Sequence, residues 1–547
     1  MSAKSKPWSK FWPAEVPERL NYPEVPLHEL LRKSAKEHPE ASAIAYFERE
    51  ITYAELDLLS DQFAAALAAL GFKKGGKVAV FLPNVPQFII SYFGILKAGA
   101  VLTAISPMHK EREVAYQLND SQAETIVTLD TLYPIVEKVR RKTKLENVVV
   151  TNMQDYTSKK PAVSKPPPAP NVHYFQELMK PAKPPRVDVT PREDLAALQY
   201  TGGTTGTAKG AMLTHLNLVS NAVAFAAWIK STSADKFLTA LPLFHIYGMT
   251  TSMTAPISVA AKMVLLPRFD PAAALETIQR HRVTVFCGVP TMYSVLLANP
   301  ALSKFDLTSI RVCISGASPL PPEVQKKFME ITGGFLAEGY GLTEASPVTH
   351  CNPVDKTMRA VRVGSIGLPL PDTDARIVDV ETGTKTLAPD ETGELAVKGP
   401  QVMLGYWMNP EETRLVLRDG WLLTGDIARM DLDGFFYITD RKKDLIKYKD
   451  YSVYPREVED VLFEHPAVKL CAVVGKPSPV VGEVPKAFIV LKDGDRATKA
   501  EIMAFVKEKV APYKAVREVE FRQQLPISAA GKVLRRTLQE EEKRKNL

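Results

Sequence analysis

Residues 199–215 read QYTGGTTGTAKGAMLTH. Four glycines, Gly202, Gly203, Gly206 and Gly210, let backbone N–H groups turn outward and approach a ligand closely. The hydroxyls of Thr201, Thr204, Thr205 and Thr207 add donors, and Lys209 adds a mobile point charge. Donors with one cation and no acid suit an anion, most simply a polyphosphate. At about 4 Å and an effective dielectric near 20, one Lys–phosphate contact is of order 4 kcal/mol before desolvation. The P-loop pattern fails here, because Ala208 stands where Gly must precede the lysine and Gly210 where Ser or Thr must follow. A flexible Gly/Thr surface loop is the plain alternative, and the rest of the chain decides between the two.

Working outward, Thr52 and Glu55 spell a capping box before a helix with Leu56, Leu59, Phe63 and Leu67 on one face. KVAVFL then reads as a buried strand, Pro86 starts another helix, and AGAVLTAI is a second strand. The alternation returns at VTVFCGV and IRVCIS. Continuous apolar strands between helices predict an α/β chain with parallel sheets covered on both faces. Residues 159–191 are rich in Pro and Lys and predict an extended surface excursion. From about Gly393 the strands become short and separated by turns.

The chain has 547 residues, 45% hydrophobic and 24% charged, which is globular composition with length for two or more domains. A net charge of +7 is mild for this size. It suits anionic ligands or weak peripheral contact with anionic membranes, and argues against nucleic acid as a partner. Four scattered cysteines without C-x-x-C read as reduced, buried thiols of a cytoplasmic protein. The start lacks the apolar core of a signal peptide. The most apolar stretches are broken by Pro and Lys or are short, so neither is a good membrane span.

Five further clusters could carry chemistry, each with a bland counterpart. In PLFHIYG (242–248), His245 beside aromatics is either a ligand contact or a satisfied core histidine. SGASPL (315–320) follows an apolar strand, where open α/β sheets bind ligands or simply turn. EGYGLTE (338–344) brackets a Gly-Tyr-Gly turn with acids, and Glu344 is either a Mg²⁺ ligand or a surface acid. Residues 423–447 contain Asp426 and Asp440-Arg441, and a carboxylate is a natural partner for ribose hydroxyls. LPISAAGKVLRR (525–536) places Lys532 in a Gly-started turn, as a catalytic cation or a helix-cap lysine.

Taken in this order, from about Thr52 to Arg536, these six stretches resemble the adenylate-forming superfamily of acyl-CoA ligases, luciferase and peptide-synthetase adenylation domains. QYTGGTTGTAKGAMLTH and SVYPREVEDVLFEHPAV look like its long-chain fatty acyl-CoA synthetase branch. The resemblance implies a large N-terminal domain of layered sheets and helices over 1–440. A small mobile α+β domain over 441–547 would follow it. It implies two steps. A medium- to long-chain fatty acid attacks the α-phosphate of ATP, giving acyl-adenylate and pyrophosphate. The CoA thiol then takes the acyl group and AMP leaves.

The residue roles follow from the same resemblance. Thr204, Thr205, Gly206, Thr207 and Lys209 would cradle the β- and γ-phosphates, and Thr201, Gly202 and Gly203 would also belong to the ATP/AMP site. Gly316, Ala317 and Ser318 would line the adenine with Glu338, Gly339, Tyr340, Gly341 and Leu342. Thr343 and Glu344 would sit at the α-phosphate, with Thr204 and Glu344 holding Mg²⁺. Asp426 would take the ribose hydroxyls with Arg441, and Ile438 and Lys447 would contact the nucleotide. Lys532 would bridge carboxylate and α-phosphate, and His245 would border the acyl carboxylate. Lys443 matches the hinge. Tyr247, Met249, Val289, Pro290 and Ala317 would form an apolar acyl pocket. Lys449 and Asp450 fall where the pantetheine arm of CoA passes. Relatives usually carry Gly where Asp450 stands, which predicts slowed transfer to CoA. An aryl-CoA ligase of the coumarate type is the alternative within the superfamily. A homodimer is compatible with the resemblance. A nucleotide-binding protein without turnover would be expected to lose Lys532 or Glu344, and both are present.

Overall fold

The structure is a computed structural model that describes residues 6–158, 169–201, 208–354, 362–448, 451–478, 481–527 and 533–545. It divides into two compact units. The larger comprises Trp8–Asp374 and Lys398–Gly420, and the smaller comprises Met1–Pro7, Ala375–Val397 and Trp421–Leu547.

Two sheets run through the larger unit. In the first, Lys77–Phe81, Val101–Ala104, Thr125–Leu129, Asn147–Thr151 and Leu195–Thr201 pair in parallel. These strands are buried almost end to end, as a sheet covered on both faces requires. Its last partner, Lys209–Thr214, runs antiparallel to Leu195–Thr201 with Thr201 opposite Lys209. The opening Gly/Thr stretch is therefore rooted in an antiparallel strand pair at the edge of a parallel sheet.

The second sheet pairs Val285–Gly288, Val312–Ser315 and Phe335–Gly341 in parallel, with Gly288, Ser315 and Glu338 level at their carboxyl ends. Val348–Cys351 folds back antiparallel on Phe335–Gly341. Helices fill the connections. Pro86 begins the helix Pro86–Lys97, every residue of which is buried. Lys97 at its end meets Asp57 at 2.5 Å and Asp61 at 2.7 Å, which satisfies a buried ammonium.

The smaller unit holds a hairpin of Trp421–Met430 and Phe436–Arg441, with Gly393–Lys398 beside the first of these. A second sheet is built on the long antiparallel pair Val468–Ser478 and Gly482–Leu491. Ile446, Val453, Val458, Leu462, Val473, Ile489 and Val506 form its core against helices Pro455–Phe463 and Lys499–Lys509.

Three sequence expectations change. Thr52 caps its helix by accepting from the Glu55 N–H at 3.1 Å, but Glu55 turns its carboxylate to Arg49. Within the Pro/Lys stretch, Val172–Tyr174 forms a strand and Phe175–Leu178 a helical turn, and Phe175 is fully buried against Phe63. A single large aromatic is enough to pin a segment that composition reads as excursion. After Gly393 the strands are not all short, because Val468–Ser478 spans 11 residues. All four cysteines are free and buried, and no described helix is long and apolar enough to cross a membrane.

Candidate active site

The hairpin fixes both roots of the predicted phosphate loop. Gly202, Gly203, Thr204, Thr205, Gly206 and Thr207 lie outside the described residues. Thr201 and Lys209 face each other across the two strands. Residues 404–407 run alongside. The Met212 N–H donates to Gly405 O at 2.9 Å, and the Trp407 N–H to Gly210 O at 2.8 Å. The Tyr116 hydroxyl holds Ala208 O at 2.7 Å, and the Tyr200 hydroxyl donates to Asp120 at 2.5 Å. Lys209 is not the mobile charge that its Gly/Thr setting predicts. Its side chain is only 8% exposed, its ammonium pairs with Glu412, and it lies 5.2 Å from the centre of the Tyr406 ring. The Tyr406 hydroxyl donates in turn to Glu344 Oε1 at 2.7 Å. Burial first, and the Glu344 charge second, push the Tyr406 phenol far above its ordinary pKa, so it remains a donor.

The carboxyl ends of the second sheet gather the residues predicted for adenine. The Gly316 N–H donates to Gly288 O at 3.1 Å. A Cβ at Gly316 would stand 3.0 Å from the Tyr247 ring, so glycine is what permits that ring to lie over the turn. Ala317 follows with φ 71°, a left-handed conformation unusual for alanine. Glu338 is buried, while Gly339 and Tyr340 are half-buried and Gly341 is exposed. A Cβ at Gly341 would meet Pro347 O at 2.2 Å, which excludes any other residue unless the backbone shifts. The Leu342 N–H donates to the same oxygen at 3.0 Å, and Thr343–Ala345 forms a short 3₁₀ turn that carries Glu344.

His245 caps the helix Ile246–Met249, its Nδ1 accepting from the Tyr247 N–H at 3.2 Å. The neutral ring therefore carries its proton on Nε2. Gln199 on the hairpin strand donates to Phe244 O at 2.8 Å, which ties that strand to the His245 turn. Tyr247 is buried and donates to Ile314 O at 2.9 Å. Met249, Val289 and Pro290 are also buried, and Pro290 opens the helix Pro290–Leu297.

In the smaller unit, Asp426 and Arg441 face each other across the hairpin and form an ion pair at 3.0 Å. The Asp426 side chain is 5% exposed. The strand just before it is held by Glu394, which accepts from the Gly425 N–H at 3.0 Å and pairs with Lys442 at 2.8 Å. Ile438 is half-buried opposite Ala428, and Lys447 is exposed on the strand Ile446–Tyr448. Asp440 accepts the Arg441 and Arg456 N–H groups at 2.7 and 2.8 Å, and burial pushes its carboxyl up to about 7. Lys443 sits in the turn Lys442–Asp444, but its side chain lies outside the described residues, as do Lys449, Asp450 and Lys532. Close to Lys532 in sequence, Arg535 is described. It donates to Glu459 at 2.9 Å.

The AMP-binding enzyme family model matches residues 31–407, and the AMP-binding enzyme C-terminal domain matches 457–532. The chain belongs to the AMP-binding enzyme family. A long-chain-fatty-acid–CoA ligase of Bacillus subtilis (strain 168) is 45% identical over 557 residues, covering 98% of each chain. A 4-coumarate–CoA ligase 1 of Oryza sativa subsp. japonica is 35% identical over 508 residues, covering 90% of this chain and 87% of that one. Among solved structures, ATP-bound MatB from Rhodopseudomonas palustris superposes with a TM-score of 0.84 at 29% identity, covering 95% and 99% of the two chains. The anthranilate CoA ligase AuaEII with anthranoyl-AMP also gives 0.84 at 29% identity, covering 96% and 99%.

For an AMP-binding enzyme, the larger unit brings Lys209 and Glu344 onto one tyrosine, a cation for a polyphosphate and a carboxylate for a hard cation. No cluster of three or more metal-binding side chains exists among the described residues. Mg²⁺ keeps several waters and binds through one or two carboxylates plus substrate phosphates, so the single Glu344 carboxylate fits it. Tyr406, Glu412, Glu394 and Asp120 escape sequence reading. Each acts through a partner distant in the chain, 203 residues away for Glu412 and Lys209.

Proposed function

We propose that the chain activates a medium- to long-chain fatty acid with ATP and transfers it to CoA. The observation that carries this reading is the pairing of Lys209 and Glu344 against Tyr406 at the root of the hairpin loop. The full-length similarity to long-chain-fatty-acid–CoA ligases supports the acid class.

In the first step the fatty carboxylate attacks the α-phosphorus and pyrophosphate leaves. Both reactants are anions, so cations positioned around them lower the barrier most. Lys532 takes the place between carboxylate and α-phosphate. Lys209, with residues 204–207, takes the β- and γ-phosphates and leaves Glu412 to do so. Glu344 and Thr204 would hold Mg²⁺, which would supply neutralisation of the polyphosphate charge. Asp426 accepts the ribose hydroxyls, with Arg441 holding its other oxygen, and Ile438 and Lys447 add contacts. Gly316, Ala317, Ser318, Glu338, Gly339, Tyr340, Gly341 and Leu342 border the adenine, and Thr343 the α-phosphate. His245 presents Nε2–H toward the acyl carboxylate.

In the second step the CoA thiol attacks the acyl carbonyl and AMP leaves, after rotation about Lys443 of the region 441–547. Lys449 and Asp450 border the thiol's approach, and Asp450 slows it. Tyr247, Met249, Val289, Pro290 and Ala317 give the acyl chain an apolar wall, where each buried CH₂ is worth about 0.8 kcal/mol. The buried reduced cysteines suit a cytoplasmic setting.

The test is product analysis with ATP, Mg²⁺ and CoA across C4–C18 and aryl acids. Acyl-CoA and AMP from C8–C16 acids are expected. The similarity to a 4-coumarate ligase favours one second reading, an aryl-CoA ligase, which turnover of cinnamates without C8–C16 acids would establish.

A further inference from the structure

Tyr406 touches two of the charged groups proposed for adenylation, Lys209 and Glu344, and belongs to none of the motifs that point to that site. Its ring lies under the Lys209 ammonium and its hydroxyl is bonded to Glu344. Tyr406 is itself rigidly placed. It bridges Ala211 of the hairpin strand, and its N–H donates to the Thr413 hydroxyl at 2.9 Å. The residue is 8% exposed. A carboxylate carries two oxygens and about four lone pairs, so a hydroxyl on Oε1 leaves Oε2 able to take a cation. A carboxylate already oriented loses less freedom on binding a metal, and such outer partners typically set 10–100-fold in affinity or activity.

We propose that Tyr406 is a positioning residue for adenylation, orienting Glu344 for the Mg²⁺–polyphosphate while its ring holds Lys209 beside it. The inference rests on the reading of Glu344 as the magnesium carboxylate. It differs from a purely structural role, in which Tyr406 would only fasten residues 404–407 to the hairpin. A fastener would affect ATP binding with or without metal, and both half-reactions alike. A positioning residue acts only where the metal is engaged.

Tyr406→Phe keeps the ring and its packing and removes the hydroxyl alone. ATP affinity is measured by equilibrium dialysis in EDTA and in saturating Mg²⁺ for wild type, Tyr406→Phe and Glu344→Gln. The enhancement of ATP affinity by Mg²⁺ should fall about tenfold in Tyr406→Phe, with affinity in EDTA unchanged. The Mg²⁺ concentration that half-saturates acid-dependent ATP–pyrophosphate exchange should rise in parallel. Thioester formation from pre-made dodecanoyl-adenylate should stay at the wild-type rate. Glu344→Gln should lose at least as much of the Mg²⁺ enhancement. If Glu344→Gln keeps the full enhancement, the magnesium reading of Glu344 fails and the inference with it. If Glu344→Gln loses it and Tyr406→Phe does not, only the positioning role is overturned. Equal loss of both half-reactions in Tyr406→Phe overturns it as well, in favour of the fastener.

Discussion

Lys209 illustrates what a residue's neighbours in space add to its neighbours in sequence. A lysine after a Gly/Thr run is legible as a phosphate ligand, but its burial and its pairing with Glu412 are not, because those partners arrive from 203 residues away. Asp426 and Arg441 are more legible, since the two strands of one local hairpin bring them together. Replacing Asp426 by Ala should raise KM for ATP by about 10–100-fold, the loss of hydrogen bonds to a charged acceptor worth about 1.5–3 kcal/mol. An unchanged KM would remove Asp426 from the ribose. Asp440 makes a pH prediction. Burial pushes its carboxyl up to about 7 in the folded chain from an ordinary 3.8. Between those values the folded chain holds a proton that the unfolded chain has lost, so this group's contribution to stability falls as pH rises. The melting temperature of Asp440→Asn should decline less than that of wild type from about pH 4 to 7. Parallel curves would show that Asp440 does not titrate there.

At the scale of elements, periodicity and punctuation were informative where the partners are local. Apolar runs marked the parallel strands, and Pro86 marked a helix start. The helix Lys499–Lys509 begins with a reciprocal capping box, Thr498 and Glu501 each accepting the other's backbone N–H. Thr498→Ala should lower stability by about 1 kcal/mol in a denaturant titration and leave both half-reactions unchanged. A change in either rate would tie that helix to catalysis. Register was not legible. The level row of Gly288, Ser315 and Glu338 depends on how three strands from different parts of the chain align, and no local pattern encodes that. The strand and turn at 172–178 were hidden by the prolines and lysines around them, because composition averages over a stretch in which one buried Phe175 decides.

For the whole molecule, composition and length indicated a globular chain of two or more domains, the alternation of apolar strands with helices indicated an α/β fold, and the order of six motifs indicated the family. The nature of the acid was less legible, since a wall such as the one proposed at the buried Met249 and Val289 is read by size and depth rather than by residue type. The central claim is that this chain joins a carboxylic acid to the α-phosphate of ATP before any thiol is involved. ATP–pyrophosphate exchange with labelled pyrophosphate, Mg²⁺ and no CoA tests it most directly. Exchange that requires a C8–C16 fatty acid is the predicted result. Exchange absent with every acid, or acid-dependent release of ADP and phosphate in place of AMP and pyrophosphate, would contradict it.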